Sequence, residues 1–143
     1  MEIRASTTVA RPLGDVWRWY AVEHVRNHPR WDPDMELEKL SSGPLGLGAR
    51  IRRRNTRWDT PIDGEMEIVE WEPERLFGVR IRDQNMEMFG RVVFEADGPD
   101  RTSLSIQTDI PGLDEERAGV LGQLMARSAD NIREVAERDL TAL

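Results

Sequence analysis

The order of the hydrophobic segments constrains the fold of this chain more than any single motif does. A segment of alternating residues, Glu2–Ala10, leads into a short helical stretch that opens with Pro12, and about six further strand-like segments follow. One long amphipathic segment, from about Asp114 to Leu140, comes last. A strongly curved antiparallel sheet cannot fill its own concave face, and a single helix laid across that face leaves a cavity. The order therefore predicts a container for a small apolar molecule.

The spacing of apolar residues and turn residues predicts the individual strands. In Glu2–Ala10, the residues Ile3, Ala5, Thr7 and Val9 share one face, which is the period of a half-buried strand. Turns rich in Gly, Pro, Asp and Asn separate the later segments, and such short connections require antiparallel neighbours. The predicted strands are Glu2–Ala10, Met35–Leu40, Ala49–Arg57, Ile62–Trp71, Leu76–Arg82, Met86–Ala96 and Thr102–Ile110. We therefore expect an α+β fold with a curved, seven-stranded antiparallel sheet.

Two short helices are expected between the first and second strands, and one long helix after the last strand. Pro12 is well placed to begin the first helix, and Ala21–His28 forms the second, which Pro29 ends. The first helix presents Val16, Trp17 and Tyr20 on one face, which would seal one end of the sheet. Asp114 is the predicted N-cap of the long helix. The apolar stripe of this helix consists of Leu121, Met125, Ser128, Ile132 and Val135.

Composition excludes several classes of protein. The 143 residues are expected to form a single domain, residues 1–143, with a sizeable core. The chain has no cysteine, so disulfides and thiolate metal sites are excluded. We find no apolar leader and no membrane-spanning run, and therefore expect a cytoplasmic protein without membrane insertion. The net charge of −7 repels polyanions and argues against a nucleic-acid partner.

An arginine-rich strand contains the most informative polar residue. A short turn between the third and fourth strands predicts that Arg52 lies opposite Glu67 and Arg54 opposite Glu65, as charge pairs on the outer face. The same register turns Arg53 toward the cavity. A guanidinium in that position is a natural anchor for a carboxylate, phenolate or carbonyl group of a hydrophobic ligand.

The hairpin registers also identify the side chains that face the predicted cavity. They align Val79 with Met88 and Val92 with Ile106. The candidate ligand-binding residues are Arg53, Asn55, Met66, Ile68, Val79, Met88, Val92, Phe94, Ile106, Thr108, Leu121, Met125 and Ile132. An alternative for Arg53 is that it reaches the rim, or pairs with an acidic residue such as Asp109, without contacting a ligand.

Two histidines lie four residues apart on the second short helix. His24 and His28 have a spacing that can place two imidazoles on one metal, but only Asp32 and Asp34 lie nearby as further ligands. Two imidazoles alone seldom hold zinc, so we predict no metal site and no cofactor. We expect both histidines at the cavity mouth, where they could act as an acid/base pair.

Three short motifs carry a resemblance to a known family. Val9-Ala10-Arg11-Pro12, Asp15-Val16-Trp17 and Trp31-Asp32-Pro33 resemble signature positions of the START-related SRPBCC superfamily, in its polyketide cyclase/dehydrase-like branch. The resemblance implies a Bet v 1-like helix-grip fold, in which the sheet curves around the long C-terminal helix. In this pattern Trp31 lies near the start of the second strand. The resemblance carries no catalytic motif onto this sequence.

Three functions are compatible with the sequence. The leading hypothesis is the binding of a small hydrophobic or aromatic molecule, lipid- or polyketide-like, in the cavity between the sheet and the last helix. The main alternative is a polyketide cyclase/dehydratase in which Arg53 polarises a carbonyl and a histidine moves protons. The other alternative is a co-chaperone-like module that binds a client protein in the same groove. A homodimer is also possible.

Overall fold

One long helix crosses the concave face of an antiparallel sheet. The computed structural model describes residues 1–84 and 86–141. The strands are β1 (Glu2–Val9), β2 (Met35–Lys39), β3 (Arg50–Asn55), β4 (Ile62–Glu72), β5 (Leu76–Asp83), β6 (Met86–Ala96) and β7 (Thr102–Asp109). The helices are α1 (Leu13–Trp17), α2 (His24–Trp31) and α3 (Glu115–Asp139), and a π-helical segment, Arg18–Val22, connects α1 to α2. Asn85, which belongs to the predicted turn after β5, lies outside the described residues.

The sheet has the strand order β1-β7-β6-β5-β4-β3-β2, and every neighbouring pair is antiparallel. Apart from the pairing of β1 with β7, each pair joins strands that follow one another in the sequence, as the short turns require. The long helix α3 lies along β1 and contacts α2. This arrangement confirms the predicted α+β, helix-grip fold with a seven-stranded sheet.

The register between β3 and β4 differs from the prediction by two residues. Arg52 lies opposite Glu65, and Ile51 opposite Met66. The predicted pairing of Arg52 with Glu67 is therefore wrong, because residues 56–61 form a longer connection than the short turn that we assumed. Side chains alternate between the faces with a period of two, so a shift of two residues leaves each side chain on the predicted face. Arg53 accordingly faces inward.

The other two predicted hairpin registers have different outcomes. Val79 lies opposite Gly90, and Ile81 lies opposite Met88. The predicted pairing of Val79 with Met88 is wrong, again by two residues. Val92 lies opposite Ile106, as predicted.

The helical region after β1 also differs from the prediction. Pro29 lies inside α2, which continues to Trp31, so Pro29 does not end the helix. Trp31 lies shortly before β2, which begins at Met35. Proline removes one backbone donor from a helix. The packing of Trp31, which is 3% exposed, against Trp19 and Tyr20 holds this last turn in place.

The two halves of α3 have different environments. The Asp114 side chain accepts a hydrogen bond from the backbone N–H of Arg117 at 2.8 Å, which confirms the predicted N-cap. In the second half, Ala129, Ile132, Val135 and Ala136 are buried. In the first half, the stripe residues Leu121 and Met125 are only partly buried. The helix is therefore packed at its C-terminal half and raised above the sheet at its N-terminal half.

Aromatic side chains fill the end of the fold beneath the short helices. Trp17 is 5% exposed and makes edge-to-face contacts with Trp71 at 5.1 Å and with Phe94 at 5.0 Å between ring centroids. Tyr20 contacts Phe94 from the other side at 5.6 Å. These rings bury a large apolar surface and add favourable ring geometry. They close one end of the sheet, as the apolar face of the first helix predicted.

We expect Trp17→Ala to lower the free energy of unfolding by about 3–5 kcal/mol, the usual cost of truncating a buried aromatic residue. Trp58, which is exposed, offers the matched control, and Trp58→Ala should cost less than about 1 kcal/mol. Urea unfolding of the three proteins measures both values. Similar losses in the two variants would contradict the role of Trp17 as the seal.

Candidate functional site

A cavity of about 1030 Å³ lies between the concave face of the sheet and the raised half of α3. The strands β3 to β7 supply its floor, α3 covers it, and the π-helical segment and α2 close one end. The exposed side chains of Trp58, Met86 and Val120 also line it. The curved sheet and the single helix thus leave the space that the order of segments predicts.

Most of the predicted side chains do face this cavity. The structure places Arg53, Asn55, Met66, Val79, Met88, Val92, Ile106, Thr108, Leu121, Met125 and Ile132 on its lining. Ile68 and Phe94 instead belong to the core beneath the short helices, where Ile68 is fully buried. They share the inward face of their strands, but they lie at the closed end of the sheet. The prediction of Ile68 and Phe94 as lining residues is therefore wrong.

Five methionines line the cavity and give it an adaptable surface. They are Met35, Met66, Met86, Met88 and Met125. An unbranched thioether side chain has three rotatable bonds and adjusts its shape to irregular neighbours. The apolar part of the lining can therefore accommodate more than one ligand shape.

Arg53 and Asp83 form a buried ion pair on this lining. Nε of Arg53 lies 3.4 Å from Oδ1 of Asp83, and each side chain is 9% exposed. Neither of these two atoms has a hydrogen-bond partner among the described residues. Burial lowers the pKa of Arg53 and raises the pKa of Asp83, because desolvation disfavours each charged form. The pair thus holds polar atoms at an apolar surface with their hydrogen-bonding capacity unused.

Gly64 creates the space for this pair. It lies opposite Arg53 on one side and opposite Asp83 on the other, so the three residues form a row across β3, β4 and β5. A Cβ atom at this position would lie 1.8 Å from Oδ1 of Asp83 and 2.5 Å from the backbone oxygen of Arg82. Only glycine is compatible with this geometry, and it lets the Asp83 carboxylate approach Arg53 across the central strand.

The partner of Arg53 was missed in the sequence. Asp83 was assigned to a turn, whereas it ends β5 with its side chain buried. The sequence of β5 contains a signal for the burial of Asp83. Val79, Ile81 and Asp83 are two residues apart from one another, so their side chains lie on the same, inner face of the sheet. The alternative partner, Asp109, is exposed and lies near the amino group of Met1. The predicted alternative that Arg53 pairs with an acidic residue is therefore confirmed, with Asp83 in place of Asp109 as the partner.

His24 and His28 both line the cavity. His24 is 3% exposed and lies among the rings of Tyr20, Trp31 and Phe77. The place of these histidines at the mouth of the cavity stays a prediction.

Hydrogen bonds connect the two histidines into a chain. Nδ1 of His24 lies 2.9 Å from the backbone oxygen of Tyr20, and Nε2 of His24 lies 3.0 Å from Nδ1 of His28. Burial lowers the pKa of His24 to about 4. The pKa of His28 is also well below its usual value, first because of burial and then because of His24 and Arg53. Both rings are therefore neutral at pH 7.

Acidic and basic side chains lie next to this chain. Nε2 of His28 is 3.9 Å from Oδ2 of Asp32, and Oδ1 of Asp32 accepts a hydrogen bond from Nη2 of Arg57 at 3.0 Å. Arg57 also lies 3.4 Å from Asp34. Oδ1 of Asn55 accepts from the backbone N–H of Arg57 at 3.0 Å, which satisfies the oxygen of this buried amide. Sequence reasoning did not place Asp32 and Arg57 in the cavity, although both line it.

Two further features of the described residues bear on function. Within residues 1–84 and 86–141, no group of three or more His, Asp or Glu side chains has the arrangement of a metal site. No helix in this part of the chain has the length and hydropathy needed to cross a bilayer.

Comparison with known proteins identifies relatives at the level of family and fold. The family model described as polyketide cyclase / dehydrase and lipid transport matches residues 1–137. No protein among the curated ones matches the sequence.

Several solved structures share the fold. The di-domain ARO/CYC BexL from the BE-7585A biosynthetic pathway has a TM-score of 0.79 and 17% identity, covering 99% of this chain and 48% of that one. The Zhui aromatase/cyclase from Streptomyces sp. R1128 has a TM-score of 0.73 and 17% identity, covering 99% and 96%. Ara h 8.0201 has a TM-score of 0.73 and 13% identity, covering 96% and 98%. At these identities the likeness concerns the fold alone.

We expect Gly64→Ala to lower the free energy of unfolding by about 1–3 kcal/mol, because the added methyl group overpacks the site of the ion pair. Gly46→Ala is the matched control, since a Cβ there meets no described atom within 4 Å. Urea unfolding of both variants measures the difference. Equal stability of the two variants would contradict the close approach at Gly64.

The buried histidines should make stability depend on pH. The folded-state pKa of His24, about 4, lies below the unfolded value of 6.5, so its contribution is present above pH 6.5 and is lost as the pH falls toward 4. Between pH 7 and pH 5 we expect His24 to cause a loss of about 2 kcal/mol, with a further loss from His28. His24→Phe should show a smaller loss in urea unfolding at the two pH values. An equal loss in this variant would place the titrating groups elsewhere.

Proposed function

This chain belongs to the polyketide cyclase/dehydrase and lipid transport family, and on that premise we propose that it binds a small hydrophobic or aromatic molecule between the sheet and α3. The cavity of about 1030 Å³ is large enough for a molecule of drug size or somewhat larger. Its surface is mostly apolar, with a few polar side chains that can fix the orientation of a ligand.

The observation that carries this proposal is the buried Arg53–Asp83 pair. Nε of Arg53 and Oδ1 of Asp83 have no hydrogen-bond partner among the described residues, although a buried polar group without a partner is costly. Nε is itself buried beside Asp83, so a ligand carboxylate, phenolate or carbonyl oxygen would accept from the terminal Nη groups of Arg53. Arg53 is therefore the proposed polar anchor, and the methionines and aliphatic side chains around it are the proposed contacts for the rest of the ligand.

A second candidate function is catalysis in the same cavity. The observation that favours it is that Arg53 and the His24–His28 chain face one cavity, so a carbonyl-polarising group and a neutral imidazole base are both available. The solved aromatase/cyclases that share the fold support this candidate as an analogy. Turnover of a poly-β-keto substrate would separate a cyclase/dehydratase from a carrier.

Other partners are less well supported. A client-binding module would use an exposed apolar groove, whereas the apolar surface here lines a cavity between the sheet and α3. On the outer face of β3 and β4, Arg50 pairs with Glu65, and Arg54 lies 3.9 Å from Asp63. Such pairs neutralise the arginine strand and support the prediction of no nucleic-acid partner. A cytoplasmic location, a homodimer and a single domain over residues 1–143 remain predictions from the sequence.

We expect Arg53→Met to weaken binding of 2-naphthoate, an aromatic carboxylate probe, by about 1.5–3 kcal/mol, the range for a hydrogen bond to a charged group. Arg52→Met, on the outer face of the same strand, should leave binding nearly unchanged. Isothermal titration calorimetry measures both affinities.

Asp83→Asn tests the same anchor, and here the expected change in affinity is an increase. It removes the carboxylate that competes for the Arg53 guanidinium, so 2-naphthoate should bind more tightly than it does to the unmodified protein. Equal effects of Arg53→Met and Arg52→Met, or no binding of the probe to the unmodified protein, would contradict the proposed anchor.

A further inference from the structure

The hydrogen bonds of the two histidines determine which nitrogen carries each proton. The backbone oxygen of Tyr20 only accepts, so Nδ1 of His24 must donate to it. In a neutral ring the other nitrogen then has a free lone pair, and Nε2 of His24 accepts from Nδ1 of His28. Nε2 of His28 therefore also presents a lone pair. The backbone oxygen of Tyr20 thus fixes the tautomer of His28 through the intervening ring of His24.

This lone pair faces a second acceptor. Nε2 of His28 lies 3.9 Å from Oδ2 of Asp32, and both side chains line the cavity with 16% of their surface exposed. Neither atom can donate to the other, and the separation exceeds hydrogen-bond distance. The other oxygen of Asp32 already accepts from Arg57 at 3.0 Å. Two acceptors are consequently directed at the same small volume of the cavity.

We propose that this pair of acceptors, Nε2 of His28 and Oδ2 of Asp32, recognises a hydroxyl group of the ligand. The inference rests on the proposed function, because it places that hydroxyl on a hydrophobic molecule in the cavity. The O–H donates to His28, and Asp32 excludes ligands that present an acceptor at this position. Together with Arg53, the site selects a hydrophobic molecule that carries both a hydroxyl donor and an acidic or carbonyl oxygen.

The surrounding charges favour a neutral hydroxyl over an ammonium group. Arg57 pairs with Asp32 and largely neutralises it. Arg53 also acts on both histidines and disfavours a positive charge there. A ligand cation would meet two guanidinium groups in a poorly solvated cavity. A phenolic or enolic O–H is favoured instead, because the same positive charges stabilise the partial negative charge on its oxygen.

His24 acts as a positioning residue in this arrangement. It is not required to contact the ligand, because its two ring nitrogens bond to the Tyr20 backbone and to His28. Its function is to hold His28 in the tautomer that leaves Nε2 unprotonated. Trp31 stacks on the His28 ring at 5.0 Å and an interplanar angle of 14°, which fixes the direction of Nε2.

The binding experiment compares 2-naphthol with 2-methoxynaphthalene, which retains the oxygen but lacks the donor. We expect the unmodified protein to prefer 2-naphthol by about fivefold, the effect of one net hydrogen bond. His28→Asn keeps a donor near Nδ1 and removes the acceptor at Nε2, so the preference should disappear. His28→Gln can place an amide oxygen near Nε2 and should keep part of the preference. The two variants lose the ring and its stacking on Trp31 equally.

A long-range ¹H–¹⁵N spectrum of the ligand-free protein tests the tautomers directly. The chain has two histidines, so assignment is simple. We expect both rings to be neutral at pH 7 with the proton on Nδ1, and His24→Phe to release His28 into a mixture of tautomers. A merely structural role for His24 would leave the His28 tautomer unchanged.

The outcomes separate the inference from the proposed function. If neither naphthalene binds, the proposed function fails, and the spectrum still decides whether His28 presents an acceptor. If both bind equally well to the unmodified protein, the cavity binds hydrophobic molecules but the hydroxyl site is wrong. A proton on Nε2 of His28 would overturn the inference by itself.

Discussion

The cavity exists because α3 is fastened at its C-terminal end. The Asp139 carboxylate accepts a hydrogen bond from Nε1 of Trp19 at 2.9 Å and one from Nη2 of Arg30 at 2.8 Å. Arg11 donates to the backbone oxygen of Leu140 at 2.5 Å. These contacts join the π-helical segment, α2 and the end of β1 to one turn of the helix. The earlier turns follow β1, where Gly122 lies beside Ile3, and they direct Leu121 and Met125 toward the cavity.

The cavity lining combines an apolar surface with charges that bulk water would otherwise solvate. Arg53 and Asp83 compensate one another only in part, because their closest atoms form no hydrogen bond in the described structure. The histidines respond to the same low polarity by remaining neutral. A ligand with a complementary polar group could form the hydrogen bonds that these side chains lack. The same side chains would then affect both the selectivity for the ligand and the stability of the fold.

The sequence predicts the fold well because the sheet follows from local rules. Alternation and turn residues identify all seven strands. Side chains alternate between the two faces of a strand, so Arg53 is correctly predicted to face inward although the register of β3 and β4 is two residues off. Two other features depend on tertiary contacts. Whether Ile68 and Phe94 line the cavity or lie in the core depends on where the short helices pack against the sheet. The approach of Asp83 to Arg53, two strands away, depends on the missing side chain of Gly64 on the strand between them.

The methionine-rich lining has a consequence for how such a protein can diversify. Met88 and Met125 line the cavity and are only partly buried, whereas Trp17 is buried against Trp71 and Phe94 and does not line it. Exchange of methionine for another apolar side chain of similar volume usually costs little stability. Mutations can therefore reshape the ligand space without weakening the seal. Proteins with this fold can therefore change their hydrophobic ligand by mutation, while selection for stability acts on other residues.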